Sequence, residues 1–327
     1  MNLSRRDFVA MAAVLSLAPA GARAQPRPAL IVALGGASRE RPAGTAAAFD
    51  LAINQGADFI ESGIVATQDG ALIARDDHEL SASTDIASRP EFAARRTAKT
   101  IDGSMKEGWF SEDFSLAELK TLNCVGQSIR PGQRSATTPG TGILTLQEVM
   151  DIARAGCTRE ARVIGVCATL VRPNYFASID LALEPRTADL IRINGYNWQA
   201  AAMIVRSRQA EPLKIIGGLT RARRGFLTGE DPGLILDFAT IRSHSEIVCP
   251  PASALINLGG PTPVATQLVA AAHAAGLAVQ AQALPFGDPF PPKPFHRGDL
   301  RTWLAAVAAT GADAIATDTP AASGRDR

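Results

Sequence analysis

The residues that could do chemistry are few and bunched. Glu61 closes an apolar run, and Asp76, Asp77 and His78 follow a second one in direct succession. A carboxylate can serve as a general base or a metal ligand. Asp76 is a poor acid near neutral pH, because an unperturbed aspartate titrates at about 3.9. His78 lies two residues beyond Asp76, and in extended chain that spacing keeps both on one face. It could stand as a displaced proton carrier, or simply pack in the core. Glu61 reads equally as a vestigial ligand or as an acceptor for loop amides, and Asp77 and Asp318 as residues that fix loops. Cys124, Cys157, Cys167 and Cys249 show no C-x-x-C spacing, which argues against a zinc or redox motif. They read best as buried thiols, although an oxidising compartment would permit a disulfide.

These residues must be positioned by the elements around them. Short apolar runs at 29–33, 58–65, 71–75, 162–166, 190–194, 213–216, 246–249, 277–281 and 312–317 read as strands. Amphipathic stretches at 45–55, 145–155, 200–208, 263–275 and 300–310 read as helices, with Thr145 and Asp299 as N-caps. Such alternation from end to end implies parallel strands with crossover helices. About eight strands in 327 residues favour an α/β fold of the closed (β/α)8 TIM-barrel kind over an open sheet. No Gly-x-Gly-x-x-Gly follows the first strand, so a dinucleotide fold is not indicated. The stretch from about 81 to 142 breaks the rhythm and is expected to lie over the C-terminal face of the strands, where long irregular segments of barrels gather. Trp109 and Trp198 are expected to pack rather than to present a ligand platform. Residues 285–294 read as a stiff proline-rich loop. The tripeptide Arg297-Gly298-Asp299 carries no adhesion role.

Residues 1–24 read as a secretory signal rather than as part of the fold. Arg5-Arg6 and Phe8 precede a short apolar stretch, and Ala22-Arg23-Ala24 resembles a cleavage site. The paired arginines mark a twin-arginine export signal, which places the mature barrel, 25–327, in the periplasm or outside the cell. No later segment is long and apolar enough to span a bilayer. The net charge of +1 offers no basis for nucleic-acid binding. A small-molecule ligand fits better, and no protein partner can be named.

The order of blocks along the chain resembles the glycerophosphodiester phosphodiesterase family, in its periplasmic branch. The blocks are Gly36-Ala37-Ser38 with Pro42 and Thr45, then Gly56-Ala57-Asp58-Phe59-Ile60-Glu61 with Asp69-Gly70 and Asp77. Lys99-Thr100-Ile101-Asp102-Gly103, Gly108-Trp109-Phe110, Thr145-Leu146-Gln147-Glu148-Val149 and Thr317-Asp318 continue the series. The resemblance implies a TIM barrel that hydrolyses phosphodiesters with two histidines beside a divalent cation. The residues that do this in the family are mostly replaced. Its His-Arg pair after the first strand aligns with Leu34 and Gly35, and its later histidine with Asp76. The acid after the first strand aligns with Ala43, the metal carboxylates with Glu61, Gly63 and Thr169, a lysine with Val171, and a further histidine with Gln280. Only Glu61 survives as a metal ligand position, so no cofactor is expected beyond weak calcium or magnesium. The resemblance therefore implies a pseudoenzyme whose barrel mouth is kept for a ligand or an interaction. The alternative is an active phosphoric diester hydrolase with a site rebuilt on Glu61, Asp76, Asp77 and His78.

Overall fold

The computed structural model describes residues 28–126, 141–198, 201–229, 235–259, 263–283, 295 and 299–324. Residues 1–24, read above as an export signal, the Pro-rich loop, Arg297-Gly298 and residues 127–140 of the insertion lie outside the described residues. Eight parallel strands form the barrel: β1 (Leu30–Leu34), β2 (Phe59–Ala66), β3 (Gly165–Leu170), β4 (Met203–Ser207), β5 (Arg223–Leu227), β6 (Ile247–Cys249), β7 (Ala278–Gln282) and β8 (Ala314–Thr317). Each pairs with its neighbours in order, and β1 bonds both β2 and β8, so the sheet closes on itself. A short strand, Leu72–Ala74, returns antiparallel along β2.

Period two sorts the side chains of each strand between the inside and the helical shell. Val32, Leu34, Phe59, Cys167, Ile204, Cys249, Ala278 and Ala316 make one inner cluster. Two larger clusters lie between the sheet and the helices. Phe59 fits inside because Gly165 faces it across the β2–β3 pairing. A Cβ at position 165 would lie 2.2 Å from the Phe59 ring. The outer helices start where their caps say they should. Thr45 caps α1 (Ala46–Asn54), and Thr145 closes a capping box with Glu148 at the head of α3 (Leu146–Glu160). Asp299 caps α9 (Leu300–Ala309) through Thr302.

Between β3 and β5 the elements differ from those expected. Residues 190–194 end helix α5 (Leu183–Ile193), and residues 213–216 lie within helix α6 (Ala210–Leu219). The expected helix at 200–208 is instead β4, all five of whose residues are buried. Buried positions Leu183, Thr187, Ala188 and Ile191 recur at helical spacing, and so do Leu213 and Ile216. Four-residue apolar runs carry no period of their own, so helix and strand exchange easily at this length. Strand β5 was not expected at all, because its sequence Arg-Arg-Gly-Phe-Leu lacks an apolar run.

The insertion contributes a helix, α2 (Leu116–Leu119), and also a two-stranded hairpin, Thr97–Ile101 with Ser104–Gly108. It is anchored at the C-terminal end of β2, where the Ser111 hydroxyl donates to the Ala66 carbonyl at 2.8 Å. Trp109 packs against the core and donates from Nε1 to the Phe92 carbonyl at 2.7 Å. All four cysteines are buried and free. Among the described residues, no helix is long and apolar enough to cross a membrane.

Candidate functional site

A cavity of about 660 Å³ opens at the C-terminal ends of the strands, the usual place for a site in this architecture. Its wall takes in Leu34, Glu61, Gly63, Asp76, Asp77, Thr169, Val171 and Arg206, with Arg172, Arg208 and Asp318 at the rim. The structure thus brings together most residues singled out in the sequence. It leaves out His78, which is fully buried to one side, against the rings of Phe110, Tyr175 and Phe176. Its Nδ1 lies 3.3 Å from the Glu112 carboxylate, which also accepts from Tyr175 and Lys99.

The floor of the cavity is held by a residue that sequence reasoning missed. Register aligns Gly63 of β2 with Thr169 of β3 and Arg206 of β4, so these three share one level of the barrel. Arg206 points inward and is 2 % exposed. Its Nη2 donates to Glu61 Oε1 at 2.6 Å and to Thr169 Oγ1 at 2.8 Å. Its Nε donates to Thr169 at 3.0 Å, and Nη1 to the side-chain oxygens of Gln280 and Gln282 at 3.1 and 3.2 Å. A guanidinium has five N–H donors, and here each has an acceptor. The Thr169 hydroxyl in turn donates to Glu61 Oε1 at 2.6 Å. Gly225 makes room for this side chain, since a Cβ there would lie 3.0 Å from Arg206 Cγ.

Burial pushes the Glu61 carboxyl above its ordinary range. Arg206 opposes that shift and Asp76 adds to it. Arg206, for its part, is held above the usual guanidinium value. The two directions pull against each other. A proton on Glu61 would leave a charged guanidinium alone inside the barrel, so the pair is ionised, because arginine does not give up its proton. Cys167 and Cys249, on the same inner face, are pushed up to about 12 by burial and are unreactive thiols.

Asp76 reaches across to β2. Its Oδ1 accepts from the Gly63 amide at 3.0 Å. That oxygen lies 2.8 Å from where a Cβ on residue 63 would be. The carboxylate from the loop after the return strand therefore fills the space in which a side chain on Gly63 would begin. At the rim, Arg172 pairs with Asp102 of the hairpin, and Arg39 with Asp318 at 2.8 Å. The former joins the tip of the insertion to the loop after β3. Both partners hold left-handed backbone, with φ of 48° and 50°, a strain that tends to persist where surroundings enforce it.

The sequence model of the glycerophosphoryl diester phosphodiesterase family matches residues 36–322. The chain belongs to this family. A glycerophosphodiester phosphodiesterase of Arabidopsis thaliana is 31% identical over 225 residues, 65% of this chain and 58% of the relative. One of Treponema pallidum is 26% identical over 196 residues, 57% of this chain and 52% of the relative. The chain thus spans about half the length of these curated relatives. Among solved structures, a phosphodiesterase of Oleispira antarctica in complex with its product sn-glycerol-3-phosphate superposes with a TM-score of 0.60 at 18% identity, covering 92% of this chain and 98% of that one. A glycerophosphodiester phosphodiesterase of Agrobacterium tumefaciens gives 0.57 at 19% identity, covering 90% and 98%. At such identities the likeness concerns the fold.

The family implies a divalent cation, and the residues present do not fit one. Calcium takes about 6–8 oxygens. Here the side-chain oxygens of Glu61, Thr169, Gln280 and Gln282 are already directed onto the Arg206 guanidinium. Among the described residues, no group of three or more histidines, cysteines or carboxylates is placed to hold a metal.

Proposed function

We propose that this chain is an exported, non-hydrolytic member of the family that uses the barrel mouth to bind a small glycerophosphodiester-like molecule. The single observation that carries the reading is the chemistry of the cavity wall. Among its described lining residues there is no imidazole and no amine. Leu34 supplies only methyl groups, and Asp76 is tied to the Gly63 amide. Phosphodiester cleavage needs a proton taken from water and one given to the leaving oxygen, each transfer contributing about 10²–10⁴-fold. Leucine can do neither. The ion-paired Glu61 has no proton to give, and its Oε1 accepts from both Arg206 and Thr169.

Retention of the mouth supports binding. Its volume lies within the roughly 300–1,000 Å³ of small-molecule pockets, and its rim carries Arg208 and the Asp102-paired Arg172, two cations that a phosphate could approach. The Oleispira antarctica relative, which holds glycerol 3-phosphate, suggests the class of ligand. Export rests on the arginine pair and cleavage pattern of the first 24 residues.

The test is release of glycerol 3-phosphate from glycerophosphocholine with calcium present, alongside calorimetric titration of the same compound. Binding without turnover is the expected result. Turnover at about 1 s⁻¹ or faster, abolished by Glu61→Ala with Asp77→Ala, would instead establish a rebuilt hydrolase centred on Glu61, Asp76 and Asp77.

A further inference from the structure

We propose that Arg206 is the resident cation of this barrel, and that its guanidinium keeps divalent ions out of a latent oxygen cage made by Glu61, Thr169, Gln280 and Gln282. Four side-chain oxygens from three different strands converge on one buried group, at 2.6–3.2 Å. Such convergence answers a cation, because each oxygen presents a lone pair and only one belongs to a group with a full negative charge. Within this cage the charge balances: one carboxylate, one guanidinium. Asp76 stands just above on the Gly63 side and has no ion pair among the described residues. It adds a second carboxylate next to Glu61 without being spent on Arg206.

The guanidinium and a metal ion are mutually exclusive occupants of this cage. Both need Glu61 Oε1 and Thr169 Oγ1, and a divalent ion beside an arginine bound to the same carboxylate would meet direct repulsion. Removing the arginine leaves the oxygens, an uncompensated carboxylate and a space continuous with the cavity, since Arg206 itself lines it. That combination is what a calcium ion with a few waters requires. The inference concerns occupancy of the floor. It stands or falls apart from whether the barrel hydrolyses a phosphodiester, and its test uses no substrate.

The experiment compares the unaltered chain with Arg206→Ala, Arg206→Lys and Glu61→Gln/Arg206→Ala, reading thermal unfolding with and without calcium. The expected result is a midpoint for Arg206→Ala that rises by about 2–5 °C at a calcium concentration roughly ten times its dissociation constant. The unaltered chain, Arg206→Lys and the double variant should not respond. A folded Arg206→Ala that ignores calcium overturns the proposal, and so does a response that survives in the double variant. Calorimetry of the unaltered chain decides the matter even if Arg206→Ala fails to accumulate. Calcium binding tighter than about 1 mM, and lost in Glu61→Gln, would show that Arg206 does not bar the ion.

Discussion

Restoring the second family carboxylate, Gly63→Asp, should damage this protein rather than repair it. A Cβ on residue 63 would lie 2.5 Å from the Arg75 carbonyl oxygen, 2.7 Å from Asp76 Cα and 2.8 Å from Asp76 Oδ1. Two of those atoms are backbone and cannot swing aside. Overpacking of this kind costs about 1–3 kcal/mol. Displacing Asp76 also breaks its bond to the Gly63 amide, a charge-assisted hydrogen bond contributing about 1.5–3 kcal/mol. Together these imply roughly 3–5 kcal/mol, or a fall in the unfolding midpoint on the order of 10 °C for a domain of this size. Gly142→Ala is the control, since a Cβ there meets nothing within 4 Å. It should stay within about 0.5 kcal/mol of the parent. Thermal unfolding by circular dichroism reads both.

The same reasoning extends to the full reversion, Leu34→His, Gly35→Arg, Gly63→Asp, Asp76→His, Thr169→Glu and Val171→Lys. Gly35 has a φ of +61°, and a Cβ there would lie 2.9 Å from that of Ala43. A left-handed arginine costs about a further 1–2 kcal/mol, and Arg206 would still hold the floor. No glycerol 3-phosphate release is expected from this variant. Gly63→Asp melting within about 2 °C of the parent, or the six-residue variant turning over at about 1 s⁻¹, would refute the argument that the backbone has closed over the old site.

Glu112 is buried, and its carboxyl is depressed to about 2: burial opposes the shift, and bonds from His78, Tyr175 and Lys99 more than offset it. A depressed carboxylate stabilises above its unfolded value near 4.5 and loses that contribution as pH falls toward 2. Glu112→Gln should thus cost at most about 3 kcal/mol at pH 7, with the difference shrinking in acid; a gap that is constant from pH 7 to 3 would contradict this. In helix α6, Gly218→Ala meets open space and should stabilise by about 0.5–1 kcal/mol. Gly217→Ala, whose Cβ would lie 2.0 Å from the Arg224 guanidinium, should gain less or lose; denaturant midpoints separate the two. Single replacement of Glu61 or Arg206 by Gln should cost about 3–5 kcal/mol each, and replacing both should cost much less than the sum, so an additive cycle would deny the ion pair. Replacing Arg5 and Arg6 by Lys should trap the precursor inside the cell, and unchanged export would indicate the general secretory route.

Much of the scaffold could be read from the sequence, because the evidence there is local. The β1 run and the caps Thr145 and Asp299 each act within one or two turns of chain. What could not be read depends on distant partners. Strand β4 has the sequence Met-Ile-Val-Arg-Ser, whose apolar residues and following arginines suit an amphipathic helix equally well. Only the barrel around it makes Arg206 an inward residue, and that is why the arginine escaped notice while Glu61 did not. A signal did exist. Read as a strand, this segment places Ile204 and Arg206 on one face, and a buried arginine demands a carboxylate. Glu61 is the inward carboxylate that two strands away could supply. His78 shows the converse limit. Its period-two relation to Asp76 holds only in extended chain, and the backbone turns at Asp77, whose carboxylate accepts from the amides of residues 78 and 79.

The substitutions at the mouth make better sense as a coupled set than as independent losses. A buried Glu61 without a cation would carry a desolvation penalty of several kcal/mol, a large fraction of the stability of a domain. Loss of a metal at this level therefore requires either loss of the carboxylate or arrival of another positive charge. Arg206 is that charge, and Thr169, Gln280 and Gln282 supply neutral acceptors for the donors that Glu61 cannot satisfy. A second carboxylate at residue 63 would then add a negative charge with no partner, and the position is glycine. The space that a side chain on residue 63 would enter is occupied by Asp76, which is exposed at the edge of the cavity and keeps its charge in contact with water. On the proposed reading every N–H of Arg206 is bonded at this floor, and the oxygens it holds leave no open coordination position for a divalent ion.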